Sequence, residues 1–118
     1  MLITTNFANL KKFRGDRYSI ALVQPKGVKL IPLKDLWPTK KMVSEYKSGR
    51  ITWEQYTKQY NFILDNCSWL LSKIRDMAME DDVVLVCYEK VEDNCHRTLV
   101  AERLIEQYEL PKDMWKKC

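Results

Sequence analysis

The chain is poor in the residues that break or staple a polypeptide. Its 118 residues include 3 glycines and 4 prolines, which leaves little room for a flexible linker between domains. It has no internal repeat and no low-complexity stretch. No apolar run approaches the ~20 residues of a membrane span, and the first residues lack the long apolar segment of a signal peptide. The four cysteines, at positions 67, 87, 95 and 118, sit in unlike settings. They do not form the spaced framework of a small secreted protein. A cytoplasmic protein with reduced thiols and no membrane partner is therefore expected. Charge of one sign is scarce too: 20 basic against 16 acidic residues give +4 and a pI near 8.9. That excess permits an anionic small molecule or nucleic acid as partner but does not demand one. The basic residues are scattered as Lys11, Lys12, Arg14 and Arg17, then Lys40 and Lys41, then Lys116 and Lys117, as on a solvated surface.

What is present suits one domain of about this length. Leu2-Ile3-Thr4-Thr5 reads as a short strand, and 6–13 as a short helix. Residues 18–23 read as a buried strand stopped by Pro25, and 28–31 as a short extra strand. Leu36-Trp37-Pro38 should be extended, because the residue before proline avoids the helical region. Thr39 can cap a helix over Lys40 to Lys47, with Gly49 at its end. Thr52-Trp53-Glu54-Gln55 matches a capping box. It opens a helix expected over 53–77, with Tyr56, Tyr60, Ile63, Cys67, Leu70, Ile74 and Met77 as its core stripe. Val83 to Cys87 is unbroken apolar sequence, the mark of a central strand covered on both faces. A last helix is expected over 95–108 with Asn94 as its cap and Leu99, Leu104, Ile105 and Tyr108 inward. Residues 109–118 should trail as a tail. Strand, helical crossover, strand is the βαβ pattern. The expected fold is thus a small three-layer α/β domain over 1–118, with a mostly parallel sheet of three to four strands and helices on both faces.

In such a sheet, ligands bind at the carboxyl ends of the strands, beside helix amino termini. That rim should carry Thr4, Thr5, Asn6, Gln24, Pro25 and Glu89, next to Cys95, His96 and Arg97. Unpaired N–H groups of the helix start, its dipole and Arg97 would together favour a phosphate or carboxylate. The plainer alternative pairs Arg97 with Glu92, Asp93 or another surface acid. Glu89 can serve as general acid or base, or simply sit in solvent. Cys95 lies in a field that lowers a thiol pKa. It can act as nucleophile, wall a site, or only pack. Neighbours on a helix point about 100° apart, so a direct Cys95–His96 bond is not expected. Cys87, Cys95 and His96 with Glu89 are zinc ligands by type. Their spacing is irregular, with no C-x-x-C pair, so no metal is assigned. Trp37, Tyr46, Trp53, Tyr56 and Tyr60 can stack on a base, though such spacing is more often core.

The element Cys87-Tyr88-Glu89-Lys90, an acidic gap, then Cys95-His96-Arg97 followed by Leu99, Val100, Ala101 and Leu104 resembles the hallmark of the domain-of-unknown-function 488 family. The opening Ile3-Thr4-Thr5-Asn6-Phe7-Ala8, the Leu36-x-Pro38 turn, Tyr46-Lys47 and the Tyr56…Tyr60 helix are similar to its other parts, with Asn6 where a small hydroxyl residue is usual. The resemblance spans about residues 2–108. It implies a small cytosolic α/β protein of bacteria, archaea or phages, here of the compact phage type. Its shared polar residues would fall at Thr4, Thr5, Cys87, Glu89, Cys95, His96 and Arg97. It implies a link to nucleotide or nucleic-acid metabolism but no particular reaction.

The expectation is a protein that binds a phosphorylated small molecule, a nucleotide or a nucleic-acid end, with acid–base hydrolytic or transfer chemistry. Glu89, His96 and Cys95 are the catalytic candidates, and Arg97, Thr4, Thr5 and Asn6 the anion-binding ones. The cofactor is left open. The rival is a non-catalytic interaction protein, such as a phage product engaging a host factor, in which the Cys-His-Arg element is structural.

Overall fold

A computed structural model describes residues 1–89 and 94–118. Among them five strands form one parallel sheet: β1 (Leu2–Asn6), β2 (Arg17–Ser19), β3 (Ile31–Pro32), β4 (Val83–Cys87) and β5 (Trp115–Lys117). The order across the sheet is β3-β2-β4-β1-β5. Four α-helices accompany it: α1 (Lys40–Lys47), α2 (Trp53–Asp65), α3 (Ser68–Glu80) and α4 (His96–Gln107). The α/β class stands as expected, with five strands in place of three to four.

The central strands explain themselves. Every residue of β1 and β4 is buried, as strands with neighbours on both sides and cover on both faces must be. Alternate residues serve opposite faces. Leu2, Val83 and Leu85 join the main core with Tyr60, Leu64, Leu71, Ile74, Val100 and Leu104 from the helices. Ile3, Val84 and Val86 face the other way and pack with Leu10 of the 3-10 turn Phe7–Lys12. The opposite face is thus closed by this short turn rather than by an α-helix.

Four local differences from the sequence reading have local causes. The strand expected over 18–23 is instead Arg17–Ser19: Ile20 still donates its N–H to Val86, but its carbonyl accepts from His96 instead of a strand partner, and Val23 is exposed. The extra strand expected over 28–31 falls at Ile31–Pro32, an edge position that tolerates proline. The long helix is two helices. Asn66 ends α2, its side-chain amide donating to the Phe62 carbonyl (2.8 Å), while Cys67 leaves helical geometry and donates to the Asp35 carbonyl (3.2 Å). The buried stripe runs through Tyr56, Tyr60, Leu64, Cys67, Leu71, Ile74 and Ala78, so Ile63, Leu70 and Met77 are its half-buried flank. The residues expected as a tail return to the sheet. Trp115, Lys116 and Lys117 pair with Leu2, Ile3 and Thr4, and the Trp115 indole donates to Thr4 Oγ1 (2.9 Å).

Helix ends mostly follow the sequence signals. Thr39 and Thr52 cap α1 and α2, and Thr52 with Gln55 completes the reciprocal box. After α1, Gly49 takes φ 78° and donates to Tyr46, while Arg50 donates to Glu45. That pairing of the last carbonyls requires a left-handed residue, which glycine supplies without strain. The register aligns Asn6 with Cys87 and Ser19 with Val86. The carboxyl ends of β1, β2 and β4 therefore reach one edge together.

Candidate functional site

That edge is where the polar side chains converge. Cys87 closes β4 and is fully buried. Cys95, not Asn94, is the N-cap of α4, and its side chain makes no capping bond. Its backbone is extended (φ −149°, ψ 148°), which turns its thiol inward toward the strand end. The Sγ atoms of Cys87 and Cys95 are joined as a disulfide, their Cα atoms 7.7 Å apart, which corrects the expectation of reduced thiols for this pair and leaves Cys95 no free thiol in this state. Because Cys95 is extended, the helical 100° offset does not apply, and its Sγ lies 3.5 Å from His96 Nδ1. The two side chains are thus in contact, but a sulfur joined to Cys87 has no proton to give the imidazole, so the expectation of no direct bond is not overturned. Glu89 Oε2 is 3.4 Å from the same sulfur.

His96 is buried against the edge of the Tyr60 ring, centroids 5.1 Å apart. Its Nε2 lies 2.5 Å from the Ile20 carbonyl. A carbonyl only accepts, so Nε2 carries the proton and Nδ1 offers a lone pair toward Cys95. Burial pushes the imidazole pKa down to about 4; the Ile20 bond opposes this and the nearby Arg97 charge adds to it. The ring is therefore neutral in ordinary buffers, an acceptor rather than a ready proton shuttle.

Arg97 lies beneath this cluster, with no exposed surface. Its Nη1 donates to Cys87 Sγ (2.7 Å) and to the Glu89 carbonyl (2.9 Å), so it ties strand end, loop and helix start together. Glu92 and Asp93, the partners considered for it, lie outside the described residues.

A pocket of about 590 Å³, measured out to its open mouth, sits above. Glu89, Asn94, Cys95 and His96 form its polar side, and Tyr46, Trp53 and Tyr56 its aromatic wall. The wall is one assembly: Trp53 stacks on Tyr56 at 5.0 Å, and Tyr46 touches both at 5.5 and 5.3 Å. Burial raises the Tyr56 phenol pKa, and the charges of Glu89 and Tyr46 raise it further. Wall and carboxylate thus sense each other across the pocket. Lys47 stands on the lining as a cation.

The sequence candidates divide accordingly. Glu89, Cys95 and His96 line the pocket together. Thr4 accepts from the Trp115 indole, and Asn6 Oδ1 accepts from the Asn9 N–H and caps the turn after β1. Thr5 is buried on β1, its hydroxyl without a hydrogen-bond partner among the described residues. Thr4, Thr5, Asn6 and Arg97 are not among the residues lining the pocket. Gln24 donates to Ala21, and Trp37 uses its indole N–H to hold the Ser19 carbonyl (3.1 Å). The sequence reading missed Ala21, Leu22, Pro38, Val43, Lys47 and Tyr88 as lining. Of these only Lys47, one step from Tyr46, carried a signal, as a cation beside an aromatic.

A parallel sheet with a cysteine–histidine–glutamate cluster at its strand ends and an aromatic-walled pocket above defines a small α/β protein with a built polar site. The chain belongs to the DUF488 family: the family model DUF488-N3a, described as the "Active DUF488-N3 subclade", matches residues 10–108. That span contains both the Cys-x-Glu strand end and the Cys-His-Arg helix start. No curated protein and no solved structure matches the chain. Among the described residues, no helix is long and apolar enough to cross a membrane.

Proposed function

We propose that this pocket binds a nucleotide or a nucleic-acid end, and that Glu89 supplies acid–base chemistry for a hydrolysis or group transfer on it. One observation carries the reading: a continuous aromatic wall of Tyr46, Trp53 and Tyr56 lines the same pocket as Glu89, Cys95 and His96. Stacking on such a wall is worth roughly 1–3 kcal/mol per base and does not depend on which base it is. A largely apolar lining with a few convergent polar groups suits a small ligand. The phosphate would meet Lys47 and the first N–H groups of α4, where Asn94, Cys95 and His96 line the opening. Arg97 adds positive charge from below, and its direct bonds go to Cys87 and Glu89. Cys95 and the neutral His96 form the floor that positions the ligand over Glu89. The proposed setting is the cytoplasm, where reducing conditions favour free thiols.

Fluorescence titration with a panel of nucleoside monophosphates and short oligonucleotides tests the reading. Trp53→Ala should weaken the best ligand by ~10-fold or more. Glu89→Gln should keep binding and lose turnover of that ligand. If no nucleotide perturbs the folded wild-type protein, the reading is wrong.

One observation favours the non-catalytic alternative. Arg97 is wholly buried and engaged with its own chain, as a structural tie would be. An intact fold with no ligand for the pocket would leave that reading in place.

A further inference from the structure

We infer that Cys87, Cys95 and His96 bind one divalent metal ion of the zinc class when the two sulfurs are thiols. The three ligand atoms lie within 4.8 Å of one another, and all three residues are buried. The Cα atoms of Cys87 and Cys95 are 7.7 Å apart, wider than the ~4.4–6.8 Å that a disulfide usually spans. Two thiolates that each stand ~2.3 Å from a shared ion need such a wider bite.

The histidine is already prepared as a ligand. Its Nε2–H is anchored on the Ile20 carbonyl, and the free lone pair on Nδ1 faces Cys95 Sγ. Metal-binding imidazoles are commonly fixed in this way, by a carbonyl on the far nitrogen. Arg97 donates to Cys87 Sγ at 2.7 Å, which favours the thiolate that a metal requires. Two thiolates and one imidazole suit zinc and disfavour magnesium or calcium, which take oxygen ligands.

Among the described residues three protein ligands converge, the number found in catalytic zinc sites. Cys95 and His96 line the pocket, and Glu89 stands beside Cys95. The inference goes beyond the nucleotide reading and does not need it, since the ion is held by the protein alone.

The chemistry balances simply. Reduction of the sulfur pair by a phosphine adds two electrons and two protons, and the phosphine leaves as its oxide with oxygen from water. Binding of the divalent ion then displaces the thiol protons into solvent.

The test uses the full chain, reduced with a phosphine, stripped with a chelator, and titrated with Co²⁺ as an optical probe. The expected result is thiolate-to-cobalt charge-transfer absorption saturating at one ion per chain, displaced by equimolar Zn²⁺. Cys95→Ser and His96→Asn should each weaken Co²⁺ by at least ~100-fold, since even outer-shell losses cost 10–100-fold. Cys67→Ser and Cys118→Ser, at the two free cysteines, should leave the absorption unchanged. A folded, reduced wild-type chain with no charge-transfer band at saturating Co²⁺ overturns the inference. So does a band that survives Cys95→Ser or vanishes with Cys67→Ser. The wild-type titration decides the matter even where a variant does not fold.

Discussion

The helices α2 and α4 begin in opposite ways. At α2, Thr52 and Gln55 satisfy each other's backbone N–H groups at 3.1 and 2.8 Å, in solvent, within four residues of sequence. At α4, the N-cap is a buried cysteine whose side chain caps nothing, and the next two residues, His96 and Arg97, are buried as well. A self-capped start stabilises its own helix and asks nothing of the rest of the fold. An uncapped start set on a strand end leaves donors, a lone pair and sulfur facing a pocket. The first kind serves stability; the second resembles the helix starts from which binding sites are made. The stability of α4 then comes from its apolar face, Leu99, Val100, Ala101 and Leu104, and from Arg97 and His96 bonding to other elements.

That contrast can be broken at its strongest point first. Arg97→Ala removes a fully buried tie between β4, the Glu89 loop and α4. It should cost about 3 kcal/mol or more in urea unfolding, as losing one member of a buried polar network does. A loss under ~1 kcal/mol would mean that α4 is held by its apolar face alone.

The second measurement is pH-dependent and belongs to protein freed of metal by chelation. His96 titrates near 6.5 when unfolded and near 4 in the fold. As pH falls, the unfolded chain takes the proton first. The contribution of His96 is therefore complete above about 6.5 and is lost progressively as pH drops toward 4. The loss should amount to at most about 3 kcal/mol. His96→Gln should flatten the slope across that window. An unchanged slope in the variant would show that carboxylates alone govern acid unfolding.

The smallest effect is at the other helix. Thr52→Ala should cost about 1 kcal/mol and leave binding in the pocket nearly as it was. A large loss of ligand affinity would show that α2's start also shapes the aromatic wall through Trp53, and the contrast between the two helix starts would narrow.

Signals confined to a few adjacent residues could be read directly from the sequence. The caps at Thr39 and Thr52, the glycine after α1 and the buried strand β4 all depend on local geometry. The break at Asn66-Cys67 was hidden because apolar spacing continues through it, and Cys67 leaves the helix toward a carbonyl 32 residues away. β5 was hidden because Trp115-Lys116-Lys117 is half polar and becomes a strand only by pairing with β1. The aromatic wall looked like core because its period is that of core; Trp53 and Tyr46 are indeed packed against the core while also lining the pocket.

The sequence by itself determined the α/β class, the position of the central strand and the choice of Glu89, Cys95 and His96 as one chemical group, since residue type and short spacing carry that information. Only the tertiary structure decided that Arg97 lies beneath the group rather than at its mouth. It also brought a lone pair of His96 to Cys95 and set Tyr46, Trp53 and Tyr56 opposite Glu89. The lone pair is oriented by the bond of His96 Nε2–H to the Ile20 carbonyl, 76 residues away, and pairing and burial across a sheet, not local preference, set such distances.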